Sequence, residues 1–254
     1  MSMEPMMSEP QLTSLPEAYR AAVFGAGGGI GRALVAHLAA DPRCGVVYAG
    51  ARGGGEGAGK VLPFRFDLRD EASIAAAAER FAGGGPLDLV LVATGILHGD
   101  GLKPEKTYRA LDAEAMATAF AVNTIGPALI AKHVLPLLAR DRKTVFAAIS
   151  ARVGSIADNR LGGWHAYRAS KAALNMAVRN FAIELAVRNK HAVCVALHPG
   201  TVDTGLSKPF QAGVAAEKLF TAEYSAAAML KVLDAATAER SGTLIAWDGQ
   251  TIPF

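Results

Sequence analysis

The chain has 254 residues, of which 51% are apolar and 19% are charged, and its net charge is +3. This composition excludes a largely disordered chain, and the absence of a long Lys or Arg run argues against a nucleic-acid surface. Glycine is the one outlier, with 27 residues against about 18 at its usual frequency of ~7%. Fourteen of these glycines fall in clusters at 25–31, 50–59 and 83–85, and such clustering requires an explanation.

The first 18 residues contain three glutamates and three prolines. They show no basic start followed by an apolar stretch, so they do not resemble a signal peptide. We therefore expect a disordered tail over residues 1–18. A single domain is expected over residues 19–254, since no second hydrophobic core or long linker is evident.

Two cysteines, Cys44 and Cys194, lie far apart in the sequence. They fit neither a Cys-x-x-Cys motif nor a zinc-binding spacing, so we expect buried free thiols, no metal site and a cytoplasmic protein. The longest apolar stretch, 115–131, contains Asn123 and is interrupted by a Gly-Pro pair. We do not expect this stretch to cross a membrane.

Short apolar runs alternate with longer helical patterns along the chain. Strands are predicted at 20–24, 45–49, 61–66, 87–92, 144–149, 192–197 and 243–247. Helices are predicted at 30–40, 70–81, 113–139, 167–189 and 222–238. Continuous apolar runs are typical of strands covered on both faces, and their alternation with helices predicts βαβ units. The predicted fold class is α/β: a Rossmann-type, doubly wound, seven-stranded parallel sheet with helices on both faces.

The first glycine cluster lies between the first strand and the first helix. Gly25, Gly29 and Gly31 form the pattern Gly-x-x-x-Gly-x-Gly. Glycines at this position allow a tight turn and a close approach of the backbone to a pyrophosphate, whose charge rests on the helix N-terminus. The cluster therefore predicts a dinucleotide site.

The end of the second strand distinguishes the two nicotinamide cofactors. An acidic residue there would bind the ribose 2′-hydroxyl, whereas an arginine accommodates a 2′-phosphate. Here the strand is followed by Arg52 and contains no Asp or Glu. NADP(H) is therefore favoured over NAD(H), although Arg52 could also be an ordinary solvated surface residue.

Tyr167 and Lys171 form a Tyr-x-x-x-Lys pattern at the start of a predicted helix. Residues four apart share one helix face, so the phenol and the ammonium can point into one site. A phenol near pKa 10 is a poor acid–base group at neutral pH until a nearby positive charge favours its ionised form. The pair therefore predicts an acid–base site.

Together, the glycine turn and the Tyr-Lys pair resemble those of the short-chain dehydrogenase/reductase family. This resemblance implies a catalytic Asn123, which would bend its helix and hold a water that relays protons to Lys171. It also implies the cofactor-binding residues Gly25, Gly29, Ile30, Gly31, Arg52, Asp67, Leu68, Ala93, Thr94, Gly95, Tyr167, Lys171, Pro199, Gly200, Val202 and Thr204. The turn 92–95 retains neither asparagine of the family's Asn-Asn-Ala-Gly motif.

The catalytic serine departs from the family pattern. The resemblance expects a serine at position 151, where this chain has Ala151. Ser150 could replace it after a small register change, Ser155 could reach in, or the site could rely on Tyr167 alone. Ser150 is slightly preferred, although strand alternation turns its side chain away from the face of position 151.

The loop at 150–164 and the segments 198–211 and 246–250 resemble the C-factor-like subgroup, with sniffer-type carbonyl reductases as more distant relatives. Residues 205–220 are expected to form a lid. Trp164 and Phe210 could form apolar walls of the site, or could simply be packed.

The predicted function is NADP(H)-dependent transfer of a hydride to or from a carbonyl or alcohol, in a protein of the carbonyl reductase type. The partners expected are a small-molecule substrate and copies of the same chain, in a homodimer or homotetramer built on helices 113–139 and 167–189, with neither nucleic acid nor membrane. The alternative is a catalytically weak, cofactor-binding regulatory or signalling protein, because Ala151 replaces the serine. An enoyl reductase is disfavoured, since such relatives space Tyr and Lys more widely.

Overall fold

The computed structural model describes residues 10–99 and 101–254. The strands are β1 (Tyr19–Phe24), β2 (Cys44–Ala51), β3 (Val61–Arg65), β4 (Leu89–Val92), β5 (Thr144–Ile149), β6 (Ala192–His198), β7 (Thr201–Val202), β8 (Leu219–Phe220), β9 (Leu244–Ala246) and β10 (Thr251–Ile252). The α-helices are α1 (Gly29–Ala40), α2 (Glu71–Ala82), α3 (Ala113–Phe120), α4 (Gly126–Val134), α5 (His165–Arg188) and α6 (Ala222–Ala235).

Eight strands form the main sheet, in the order β10-β9-β6-β5-β4-β1-β2-β3. In this sheet all neighbouring strands pair parallel except β10, which pairs antiparallel with β9. The predicted parallel sheet with helices on both faces is confirmed, and β10 adds one short antiparallel edge. Strand order reverses between β1 and β4, and the carboxyl ends at such a switch point form the crevice where ligands bind in these sheets.

Two apolar clusters cover the two faces of this sheet. Successive residues of β1 alternate between them: Ala22 and Phe24 pack against α2, α4 and α5, while Ala21 and Val23 pack against α1 and α6. This period of two follows from the strand geometry. It explains why the strands appear in the sequence as continuous apolar runs.

Residues 10–18 differ from the expected disordered tail. Leu12 and Leu15 are buried in the cluster beneath α1 and α6, and the Leu12 amide donates to Asp41 Oδ2 at 3.0 Å. The Ser14 amide donates to Asp234 Oδ1 at 2.8 Å. The expectation is therefore wrong for residues 10–18, because two apolar side chains and two carboxylates hold them, whereas residues 1–9 lie outside the described residues.

The helix predicted at 113–139 is interrupted near its middle. One π-helical turn, Ala121–Ile125, joins α3 to α4, and within it the Gly126 amide donates to the Ala121 carbonyl. Pro127 has no N–H to donate to the carbonyl four residues earlier, that of Asn123, so the wider turn accommodates the proline. By length and composition alone, 113–137 would suffice to cross a membrane, but here the π turn places a buried Asn123 inside it.

Candidate active site

The glycine turn follows β1 and leads directly into α1. Gly25 has a φ of +100°, and a Cβ there would lie 2.6 Å from the Ala93 carbonyl oxygen. A Cβ on Gly31 would lie 2.1 Å from the Gly25 carbonyl oxygen, so no larger residue fits at either position. The turn is thus held tightly between β1, β4 and α1, as the sequence predicts.

Polar groups around this turn fit an anionic dinucleotide. The first turn of α1 has no acidic residue, and Gly28 at its N-cap supplies no side-chain cap, so its backbone amides are suited to a pyrophosphate. Thr94 Oγ1 is buried without a hydrogen-bond partner among the described residues. Thr94 borders the cavities on both sides of the turn, and a bound ligand would give its hydroxyl a partner.

A cavity of about 760 Å³ extends from the turn past the ends of β2 and β3. It is lined by Arg52, as expected, and also by Arg69, which the sequence analysis did not identify. Asp67 and Leu68 lie on its wall, where the resemblance places the adenine. Arg69 could have been found from its position two residues after Asp67, where its amide donates to Asp67 Oδ1 at 2.9 Å.

A second cavity, of about 670 Å³, opens on the other side of the turn and contains Tyr167 and Lys171. Both residues lie in the first two turns of α5, and the Lys171 Nζ lies 5.9 Å from the Tyr167 ring centroid. Lys171 Nζ donates to the Ile149 carbonyl at 2.8 Å, which fixes the ammonium behind the phenol. Burial lowers the pKa of Lys171 to about 7 and raises the pKa of Tyr167 above its usual value.

Asn123 is fully buried in the π turn and connects three elements. Its Oδ1 accepts from the Ile96 amide at 2.8 Å, and its Nδ2 donates to the Ile96 carbonyl at 2.9 Å. Nδ2 also lies 3.1 Å from Ser170 Oγ on α5. Asn123 therefore joins the loop after β4 to the helix that carries Tyr167.

Both candidate serines form hydrogen bonds within the chain. Ser150 borders the cavity, but its Oγ donates to Asn175 Oδ1 at 2.7 Å. Ser155 is buried, donates to the Pro253 carbonyl and accepts from the Asp158 amide at 3.0 Å. The Ser150 hydroxyl is thus bound by α5, as strand alternation indicates, and its role at a substrate carbonyl stays a prediction.

The loop after β6 supplies the remaining cofactor-binding candidates, Pro199, Gly200, Val202 and Thr204, and all four line the second cavity. Gly200 has a φ of +80°, and a Cβ there would lie 2.6 Å from the Phe220 ring. The Thr204 methyl carbon would lie 2.8 Å from a Cβ on Gly29. The loop therefore packs directly on the glycine turn.

The segment 205–220, which we expect to form a lid and call the lid, follows β7 and ends in β8, and these two strands pair parallel in a small sheet. Its residue Phe210 lies 5.1 Å from Trp164 and 5.7 Å from His98, measured between ring centroids. His98 Nε2 donates to the Gly205 carbonyl at 3.0 Å. Trp164 in turn lies 6.3 Å from Tyr167. Both aromatic side chains thus belong to the mouth of the site.

A family model described as short chain dehydrogenase matches residues 20–215. The C-signal of Myxococcus xanthus is 37% identical over 144 residues, which cover 57% of this chain and 81% of that protein. The 1-hydroxy-2-glutathionyl-2-methyl-3-butene dehydrogenase of a Rhodococcus species is 35% identical over 185 residues, which cover 72% of this chain and 76% of that protein.

The chain shares its fold with solved structures of carbonyl reductases. The NADPH-bound carbonyl reductase from chicken fatty liver superposes with a TM-score of 0.77 at 27% identity, over 94% of this chain and 100% of that chain. The carbonyl reductase Sniffer of D. melanogaster gives a TM-score of 0.78 at 21% identity, over the same shares of the two chains.

Proposed function

The chain belongs to the short-chain dehydrogenase family and is an oxidoreductase of that type, and we propose that it transfers a hydride between NADP(H) and a carbonyl or alcohol. The observation that carries this proposal is the cavity shared by Tyr167, Lys171 and the glycine turn. A bound nicotinamide cofactor would supply or accept the hydride. The chain's own residues then have to bind the cofactor, orient the carbonyl and move one proton.

Tyr167 is the proton donor in the reducing direction. Burial raises the pKa of its phenol, so the oxygen carries a proton at neutral pH, and this proton can pass to an alkoxide that develops on the substrate. Lys171 lies behind the ring and would stabilise the phenolate left after transfer. Asn123 holds Ile96 beside them, so that the loop after β4 keeps its place against α5.

The preference for NADP(H) rests on Arg52 and Arg69, which both line the cavity beyond the end of β2. A guanidinium binds phosphate oxygens through two parallel hydrogen bonds. The chicken carbonyl reductase to which this chain is similar is described with NADPH bound. The two arginines would hold the 2′-phosphate.

We propose a homodimer or homotetramer in the cytoplasm. On α5, Met176, Ile183 and Val187 are exposed on one helix face, and such a face is suited to a second copy of the chain. Cys44 and Cys194 are free and buried, which fits a reducing compartment. We also propose one domain over residues 19–254, against which residues 10–18 pack.

A second candidate function is a cofactor-binding regulatory protein with weak catalysis. One observation favours it: Ala151 borders the cavity where the family pattern has a serine, and the hydroxyl of Ser150 is bound to Asn175. A substrate carbonyl would then have one hydrogen-bond donor fewer than the family pattern provides. The similarity to C-signal is compatible with this candidate.

Oxidation of NADPH by the purified chain against a panel of aldehydes, ketones, quinones and diketones tests the proposal. We expect turnover with at least one compound and its loss in Tyr167→Phe. Tyr108→Phe is the matched control, because Tyr108 is 67% exposed and outside both cavities. Turnover unchanged in Tyr167→Phe would refute the mechanism, and tight NADPH binding without any turnover would favour the regulatory candidate.

A further inference from the structure

Glu105 is a buried acid that lies outside both cavities. It is 5% exposed and precedes α3 in a segment of irregular structure. A buried carboxylate is unfavourable unless hydrogen bonds compensate for its lost hydration. Its partners therefore indicate why an acid is placed there.

Those partners are backbone amides at the beginning of α5. The Ala166 amide lies 3.3 Å from both Glu105 carboxylate oxygens, and the Trp164 amide donates to the Glu105 carbonyl at 2.5 Å. Trp164 is at the N-cap position but makes no side-chain cap hydrogen bond among the described residues. Glu105 thus supplies, from about 60 residues away in the sequence, the capping acceptor and the negative charge that favour a helix N-terminus.

The chain enters α5 through a strained conformation. Gly162, Gly163 and Trp164 have φ values of +63°, +64° and +53°. A left-handed conformation is easy for glycine but unfavourable for Trp164, whose Cβ crowds the backbone there. A Cβ on Gly163 would lie 3.3 Å from the Glu105 carbonyl oxygen, so this turn packs directly on Glu105. The Glu105 backbone carbonyl therefore contacts the strained turn, and its carboxylate binds the Ala166 amide that follows the turn.

Two groups of the site depend on this entry. Tyr167 follows Ala166 directly, and Trp164 contacts both Tyr167 and the lid residue Phe210. A displacement of about 1 Å at a reacting group can lower a rate by 10²-fold. The position of the first turn of α5 therefore affects the proton donor and the mouth of the site together.

We propose that Glu105 is a positioning residue that fixes Tyr167 and Trp164 by capping α5 from outside the cavity. The role in turnover rests on the proposed function, whereas the capping itself does not. Removal of the carboxylate leaves the Ala166 amide without its acceptor and loosens the first turn. Binding of the cofactor at the glycine turn is left intact.

The test compares Glu105→Ala with Glu105→Gln, which keeps the shape and one acceptor oxygen. Asp112→Ala is the control: Asp112 caps α3 by accepting from the Ala115 amide at 2.8 Å and lies outside both cavities. We measure kcat, the KM for NADPH, the melting temperature, and amide hydrogen exchange of a peptide spanning 163–168. In Glu105→Ala we expect faster exchange in that peptide, kcat lower by about 10- to 100-fold and an unchanged KM for NADPH.

Glu105→Gln should recover most of kcat. Asp112→Ala should lower the melting temperature but leave both kcat and the exchange of peptide 163–168 unchanged. Wild-type exchange at 163–168 in Glu105→Ala would overturn the capping role. A kcat loss shared equally by Asp112→Ala, or not restored by Glu105→Gln, would overturn the positioning role. If the exchange increases but the wild-type chain reduces no carbonyl, the proposed function fails while the cap stands.

Discussion

The substitution Asn123→Ala gives the sharpest test of how this site is held together. It removes three hydrogen bonds, two with Ile96 and one with Ser170, at a side chain that is 0% exposed. At about 1 kcal/mol for each bond, the free energy of unfolding should fall by roughly 3 kcal/mol. For a chain of this size that corresponds to a melting temperature lower by about 6–12 °C.

The structure also predicts that this loss is not merely one of stability. Gly95 precedes Ile96 in the wall of the cavity, and a Cβ there would lie 3.4 Å from Asn123 Oδ1. Without Asn123 the loop after β4 loses its tie to α5, so NADPH binding should weaken by about tenfold, the equivalent of ~1.4 kcal/mol. Fluorescence titration with NADPH and thermal unfolding measure the two effects separately.

Asn175→Ala is the matched control for this substitution. Asn175 is also buried, and it binds Ser150 and the Gly154 carbonyl without contacting Ile96. It should lose comparable stability while keeping the wild-type affinity for NADPH. A loss of less than about 1 kcal/mol of stability in Asn123→Ala, or equal weakening of NADPH binding in the two variants, would refute this role of Asn123.

Two further predictions concern the cofactor and the carbonyl. Arg52→Asp should weaken binding of NADPH relative to NADH by about 10- to 100-fold, since a charged hydrogen bond contributes about 1.5–3 kcal/mol. Titration compares the two affinities, and Arg109→Asp, at an exposed arginine, is the control. An unchanged ratio of affinities would contradict the role of Arg52. Ala151→Ser should raise kcat by at least about tenfold, because a hydroxyl at the carbonyl stabilises developing charge. Steady-state kinetics measure kcat, with Ala151→Val as the control. A kcat that does not rise in Ala151→Ser would contradict the prediction.

The elements that the sequence predicts well are those specified by local pattern. β6 is one continuous apolar run, and α5 differs from its predicted bounds by one or two residues at each end. By contrast, β10 and the β7–β8 pair are two residues per strand. The β7–β8 pair depends on residues distant in the sequence, such as Thr201 opposite Leu219, whereas β10 pairs with the nearby β9. Strands of two residues are too short for a periodic pattern to indicate them.

The same distinction applies to the site. Tyr167 and Lys171 could be identified because their spacing on one helix is itself the signal, and Arg52 because it follows a strand directly. Arg69 could have been identified in the same way, from its position two residues after Asp67, whereas Glu105 could not, since its role arises from packing against another segment. In sequence, Glu105 resembles any loop acid between Pro104 and Lys106. Only its burial against the beginning of α5 distinguishes it.

For Ser150, the family resemblance and the alternation of side chains along a strand lead to different expectations. Similarity to the family favoured a hydroxyl from Ser150, whereas strand alternation placed it on the opposite face from Ala151. The geometry agrees with the alternation, because the Ser150 hydroxyl is donated to Asn175. In the proposed mechanism, Tyr167 then supplies the hydroxyl that acts on the carbonyl. In the proposed mechanism, the hydrogen bonds of Asn123 to Ser170 and of Glu105 to Ala166, which position the helix carrying Tyr167, therefore matter more than they would in a site with two hydroxyls.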